Sequence, residues 1–105
     1  MIGKIHEKIK ANQFEFSKHA VDQSILRRIS VKEIREAVSV GEVIEYYPED
    51  KYGPSCLVFG VTNESRPLHL HCSYPSRPLL KIITLYEPDE DIWIDFRSRR
   101  QQNAG

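Results

Sequence analysis

As far as Gly41 the apolar residues of this chain recur every three or four positions, and beyond it every second one. That switch of period dictates helices first and strands after. Ile2, Ile5 and Ile9 predict a short helix over 2–11. Ser17 is a suitable N-cap for a helix from Lys18 to Arg28, with Val21, Ile25 and Ile29 on one face and Leu26 beside it. Ser30-Val31-Lys32-Glu33 reads as a capping box opening a helix over 31–40, with Ile29 and Ile34 as its hydrophobic staple. Val31, Ile34, Ala37 and Val38 form the stripe to be buried, and Gly41 stands where a C-cap glycine belongs. Phe14-Glu15-Phe16 alternates, as either a brief strand or a core-anchoring turn.

Past Gly41, strands are expected over 42–47, 55–61, 68–73 and 79–86, separated by segments rich in Pro, Gly and polar residues. Leu79 to Tyr86 is almost wholly apolar, as suits a central strand covered on both faces. Ile92, Ile94 and Phe96 alternate with Trp93 and Asp95, as a last edge strand or a packed tail would. Short connections between successive strands imply hairpins. The expected fold is therefore α+β, with N-terminal helices packed on one face of a four- to five-stranded antiparallel sheet. One domain spans 1–105, with 97–105 a frayed tail.

Composition removes several function classes. Fifteen basic and fifteen acidic residues cancel, which excludes a polycationic nucleic-acid binder but not a local basic face. The charge is uneven: residues 1–35 carry eight bases against four acids, and 86–96 carry five acids and no base. Such runs most often mark solvated faces. Two cysteines, Cys56 and Cys72, cannot build a disulfide framework and form no C-x-x-C pair. No apolar run approaches the ~20 residues that span a bilayer. The N-terminus lacks the apolar core of a secretory signal, and a cytoplasmic protein is expected.

Chemistry concentrates in the histidines, arginines and tyrosines. Leu68-His69-Leu70-His71-Cys72-Ser73 alternates strictly, so His69 and His71 share one face and Cys72 lies on the other. One reading is two polar residues on a solvated sheet face. A second is an H-x-H metal pair awaiting a third ligand such as His19. A third needs no cofactor: RNA cleavage assisted by the 2′-hydroxyl takes a proton acceptor, a proton donor and a cation at the phosphate. His69 supplies acid or base chemistry near neutral pH. Arg27 offers a permanent charge with fork geometry for phosphate. Tyr86, at a strand end, stacks on a base or aids proton transfer.

Ser17-Lys18-His19-Ala20, then Arg27, Ile29-Ser30 and Glu33-Ile34, resembles the opening S-x-H-A, R-G-I-S and E-[IV] of a small prokaryotic domain family of unknown function. Arg66-Pro67-Leu68-His69, Ile82-Ile83-Thr84-Leu85-Tyr86-Glu87-Pro88 and the following Trp93 extend the resemblance over about 17–96. Such proteins often stand beside small zinc-finger antitoxins and are similar to the RelE and MqsR class of messenger-RNA interferases. The resemblance implies a RelE-like fold and a type II toxin that cleaves RNA, free or ribosome-bound, without a metal and is neutralised by a cognate antitoxin. Its characteristic polar residues fall on His19, Arg27, His69, Thr84 and Tyr86, with His71 and Arg28 as further substrate contacts. Arg28 replaces the family's usual glycine, which suits a more helical turn there. The alternatives are a non-catalytic protein-interaction domain of the same fold and a His-based metal site.

Overall fold

The computed structural model describes residues 1–101. Three helices, α1 (Ile2–Lys10), α2 (Lys18–Leu26) and α3 (Val31–Ser39), frame the short strand β1 (Phe14–Phe16). The strands β2 (Glu42–Tyr47), β3 (Ser55–Val61), β4 (Pro67–Ser73) and β5 (Leu80–Tyr86) follow, and β6 (Trp93–Ile94) pairs with β7 (Ser98–Arg99) in a separate hairpin. The two caps form as the sequence predicts. Ser17 Oγ accepts from the Ala20 amide at 3.0 Å. At α3 the Glu33 amide donates to Ser30 Oγ at 3.1 Å and the Ser30 amide donates to Glu33 Oε1 at 3.0 Å. Two of the orphan donors of that helix end are thereby satisfied.

The five-stranded sheet has the order β1-β5-β4-β3-β2. β2 to β5 form the expected antiparallel meander, but β1 lies parallel to β5, with Phe14 opposite Leu80 and Phe16 opposite Ile82. The sheet is thus mixed rather than antiparallel throughout. Pairing between segments so far apart in the chain leaves no trace in local periodicity. The join continues beyond the strand: Leu80 donates to the Gln13 carbonyl and Ser17 to that of Ile82, both at 2.9 Å.

Helices cover one face. Ile5, Ile9, Ala20, Ile29, Ile34, Ala37 and Val38 pack on Val58, Leu68, Leu70, Leu80, Ile82, Leu85 and the two cysteines. α3 lies so close to β3 that a Cβ on Gly60 would stand 1.9 Å from the Ala37 carbonyl oxygen. Gly41 serves close approach as well, since a Cβ there would meet Val58 Cγ1 at 2.6 Å. Its φ is not positive and Val40 is the C-cap, so Gly41 is not the left-handed cap the sequence suggested. α2 also departs from expectation: Ala20 is its one buried residue, while Val21, Ile25 and Leu26 are exposed. Arg28 adopts φ 54, so the turn after α2 is left-handed, not more helical, despite the missing glycine. A non-glycine residue there costs on the order of 1–2 kcal/mol.

Arg66 holds that turn. Its Nη2 donates to the Arg27 carbonyl at 3.0 Å and its Nη1 to the Arg28 carbonyl at 2.8 Å. The same guanidinium pairs with Glu33 of the capping box at 3.0 Å and with Glu87. One side chain therefore ties the end of α2, the start of α3 and the end of β5 to the start of β4.

The segment expected to fray does not do so over 97–100. Ser98–Arg99 pairs with Trp93–Ile94 through a three-residue loop, 95–97, in which Asp95 (φ 51) and Phe96 (φ 62) are both left-handed and the Arg97 amide donates to the Ile94 carbonyl at 3.0 Å. That is the turn geometry that suits a tight hairpin. Residues 102–105, the rest of the expected frayed tail, lie outside the described residues. No helix among the described residues is long and apolar enough to cross a membrane.

Candidate active site

The helix-free face of the sheet carries the candidate chemistry. Registration places Phe59, His69 and Tyr86 in one cross-strand row and Leu57, His71 and Thr84 in the next. The β6–β7 hairpin covers the first row and leaves the second at the edge of an open cleft.

His69 is fully enclosed, at 0% exposure. Its Nε2–H donates to the Phe96 carbonyl oxygen at 2.5 Å. That fixes the tautomer, so Nδ1 accepts from the Tyr86 hydroxyl at 3.2 Å. The Trp93 ring lies edge-on at 4.5 Å and that of Phe59 at 5.8 Å. Burial pushes the His69 pKa down, opposed by the Phe96 carbonyl and Glu45, and pushes the Tyr86 hydroxyl up. Arg99 forks onto both Glu45 oxygens at 2.9 and 3.1 Å, and Arg97 pairs with Glu42, which pins the hairpin over this row.

His69 and Tyr86 thus meet, as the sequence reading expected, in an imidazole–phenol pair with no open ring nitrogen. Arg27 does not join them: it is the exposed C-cap of α2, with its Nε donating to Gln23 Oε1 at 2.7 Å. His19 is exposed in the first turn of the same helix, and Arg28 is exposed after it. Among the described residues no three His, Cys, Asp or Glu side chains stand close enough to hold a metal ion. The H-x-H pair therefore gains no third ligand from His19.

His71 is placed differently. It lines a cleft of about 370 Å³ together with Ser17, Asp50, Tyr52, Arg77 and Lys81. The Ser55 hydroxyl donates to Asp50 Oδ2 at 2.5 Å, so it accepts from His71 Nε2–H at 2.7 Å. Nδ1 has no protein partner and is not sealed from solvent, which leaves its lone pair free. Burial lowers the His71 pKa, and Asp50, 3.6 Å from Nε2, raises it. The Ser55 hydroxyl and then the Tyr52 amide hold the Asp50 carboxyl below its ordinary value. Arg77 and Lys81 pair with no acid among the described residues, so two uncommitted cations line the same cleft as His71.

Asp50, Ser55, Arg77 and Lys81 were not among the residues singled out from sequence. Ser55 was findable. Pairing about the Thr62–Arg66 loop sets Val61 opposite Pro67 and Ser55 opposite Ser73, one step diagonally from His71. Asp50 reads only as a polar turn residue, and Arg77 as part of a Pro-flanked turn.

These observations define a small α+β domain with helices on one sheet face and, on the other, an acid–base cleft rimmed by cations. Residues 16–87 match the model of a family described as a domain of unknown function, DUF4258, and the chain belongs to that family. No curated protein and no solved structure matches it. The matched span holds every candidate residue named above, and leaves α1 and the β6–β7 hairpin outside.

Proposed function

We propose that this domain is a metal-independent endoribonuclease that cleaves messenger RNA, with the His71 cleft as its reacting centre. The observation that carries the reading is a histidine with one free nitrogen, backed by Ser55 and Asp50, in a cleft also lined by Arg77 and Lys81. His71 Nδ1 takes the proton of the RNA 2′-hydroxyl as that oxygen bonds to phosphorus. Asp50, through Ser55, stabilises the imidazolium that forms. Lys81 and Arg77 hold the phosphate and offset the charge gathering on its equatorial oxygens. The bond from phosphorus to the 5′ oxygen then breaks, and the His71 proton passes to that oxygen. A 2′,3′-cyclic phosphate and a 5′-hydroxyl result.

The acid–base role first assigned to His69 moves to His71, and His69 with Tyr86 becomes the support beneath it. Thr84, the cross-strand partner of His71, lies within reach of substrate. Arg27, Arg28 and His19, exposed along α2, serve outlying phosphates. The fold reading is RelE-like and MqsR-like, and the role is a cytoplasmic toxin held by a cognate antitoxin of the zinc-finger type. Pure, antitoxin-free protein should cleave single-stranded RNA in excess EDTA, with and without ribosomes. His71→Ala should lower turnover by about 10²–10⁴-fold, the range for a lost general base. Intact RNA under both conditions would overturn the proposal.

A second reading, a non-catalytic interaction domain, is favoured by Ile25 and Leu26, which stand 72% and 74% exposed side by side on α2. It predicts intact RNA in that assay and a partner that protects α2.

A further inference from the structure

Tyr52 is 81% exposed, on the lip of the cleft that holds His71. It is not a loose surface residue. Its amide donates to Asp50 Oδ1 at 3.4 Å, while Oδ2 of the same carboxylate accepts from Ser55 in the His71 relay. The turn closes with the Gly53 amide on the Asp50 carbonyl at 3.0 Å, and Gly53 at φ 113 takes a conformation that side chains resist. Arg77 lies against this turn, with Nη2 3.5 Å from where a Gly53 Cβ would stand. Lys51 Nζ lies 5.5 Å from the Tyr52 ring centroid. One carboxylate thus holds the backbone of an exposed aromatic residue and, through Ser55, the His71 imidazole, with Lys51 beside the ring and Arg77 and Lys81 lining the same cleft.

We infer that Tyr52 is a positioning residue that stacks on an unpaired base next to the scissile phosphate. The inference rests on the nuclease reading and adds to it a residue and a requirement. Single-strand sites combine cations that follow the backbone with aromatic rings that take base faces. In a duplex both faces of each base are already stacked, so this ring requires a splayed nucleotide. With the Tyr52 backbone held by Asp50 on the lip of the His71 cleft, a base stacked on the ring brings its own 2′-hydroxyl towards His71.

The probe is a 2′-O-methyl single strand of about ten nucleotides, comparable to an ordinary single-strand site. It lacks the attacking hydroxyl and remains intact. Tyr52→Ala should weaken its binding by about 5- to 150-fold, equivalent to ~1–3 kcal/mol for one stacked base. Tyr52→Trp and Tyr52→Phe should retain binding, since both keep a ring. On cleavable RNA, Tyr52→Ala should raise KM far more than it lowers kcat. A probe with an abasic position at the stacked nucleotide should bind wild type and Tyr52→Ala alike. Equal binding of the full probe by wild type and Tyr52→Ala would overturn the stacking role and leave the nuclease reading standing, as would an unchanged deficit on the abasic probe. A wild type that neither binds the probe nor cleaves RNA would overturn the nuclease reading itself.

Discussion

Removing Arg66 tests the account of how the two helices are fastened to the sheet. Arg66→Ala deletes two hydrogen bonds to the Arg27 and Arg28 carbonyls, at 3.0 and 2.8 Å, and ion pairs with Glu33 and Glu87. The carbonyls lie at the exposed end of α2, so water replaces the lost donor. Each bond then counts at its net value of about 0.5–1.5 kcal/mol rather than at a full desolvation cost. The Glu33 pair, with side chains 25% and 27% exposed, adds about 0.5–1 kcal/mol after screening. Glu87 is 51% exposed and adds little. The loss comes to roughly 1.5–4 kcal/mol, and a middle value of about 3 is equivalent to about 10–25 °C in Tm at the usual scaling for a domain of this size.

Urea denaturation followed by far-ultraviolet circular dichroism measures it, with an expected midpoint shift of about 1–2 M for ordinary slopes. Arg66→Lys keeps the charge but not the fork, and should recover less than half of the loss. Salt near 1 M, where screening acts within about 3 Å, should shrink the deficit by no more than about 1 kcal/mol, because the carbonyl bonds are not ion pairs. Acid acts on the same share. The Glu33 pKa is held down, first by the Ser30 amide and further by Arg66, so its stabilisation is complete above the ordinary carboxylate range and is lost as pH falls through the lowered folded value. A stability within about 0.5 kcal/mol of wild type would refute the claim that this guanidinium joins the elements. A deficit abolished by salt would refute the part assigned to the carbonyls.

Ser30→Ala should cost roughly 0.5–2 kcal/mol in the same urea titration, since it removes the Oγ that accepts from the Glu33 amide while the Ser30 amide still donates to Glu33; an unchanged midpoint would show that the side-chain half of the box contributes nothing. Gly60→Ala should be destabilising by about 3 kcal/mol, the upper part of the overpacking range, because the obstructing atom at 1.9 Å is the Ala37 carbonyl oxygen and no side-chain rotation relieves it. A thermal scan in which Gly60→Ala melts with wild type would contradict the close seating of α3 on β3. Burial depresses the folded pKa of His69, so its contribution is present above the unfolded value near 6.5 and is lost as pH falls from there through the folded value. His69→Gln should therefore flatten the fall in stability below about pH 6.5, where each proton taken up on unfolding is worth ~1.4 kcal/mol per pH unit; a parallel pH profile would place His69 in solvent.

What the sequence made legible was what is local. The capping box, the staple and the change of period at Gly41 each depend on residues within one or two turns, and the three helices and four long strands form within a few residues of their expected bounds. Residues 14–16 were readable as a brief strand, but the parallel pairing of β1 with β5 was not, because a three-residue edge strand carries no signal of whom it will join. α2 misled because an apolar stripe predicts burial only if the helix meets the core along that stripe. This helix meets it at Ala20, and the next buried apolar residue is Ile29, beyond its end. Arg28 misled for the converse reason. A left-handed turn after a helix can be held by outside donors, here Arg66 on the two carbonyls, without a glycine to ease it.

The site was legible as a face but not as a centre. Alternation alone places His69 and His71 together on the side away from Cys72, and it cannot distinguish between them. What separates them is the segment after the family-matched span, where Phe96 turns left-handed and presents its carbonyl to His69. Trp93 and Phe59 close the rest of that ring's surroundings, whereas His71, two residues on, lies beyond the hairpin's reach and keeps a free nitrogen. A chain with the same sheet and no such hairpin would present both imidazoles. In this one, which imidazole keeps a free nitrogen is decided by a carbonyl and two aromatic rings brought in from elsewhere in the chain. The chemistry of an H-x-H strand therefore follows from what covers it, and the alternation of the strand itself supplies only the candidates.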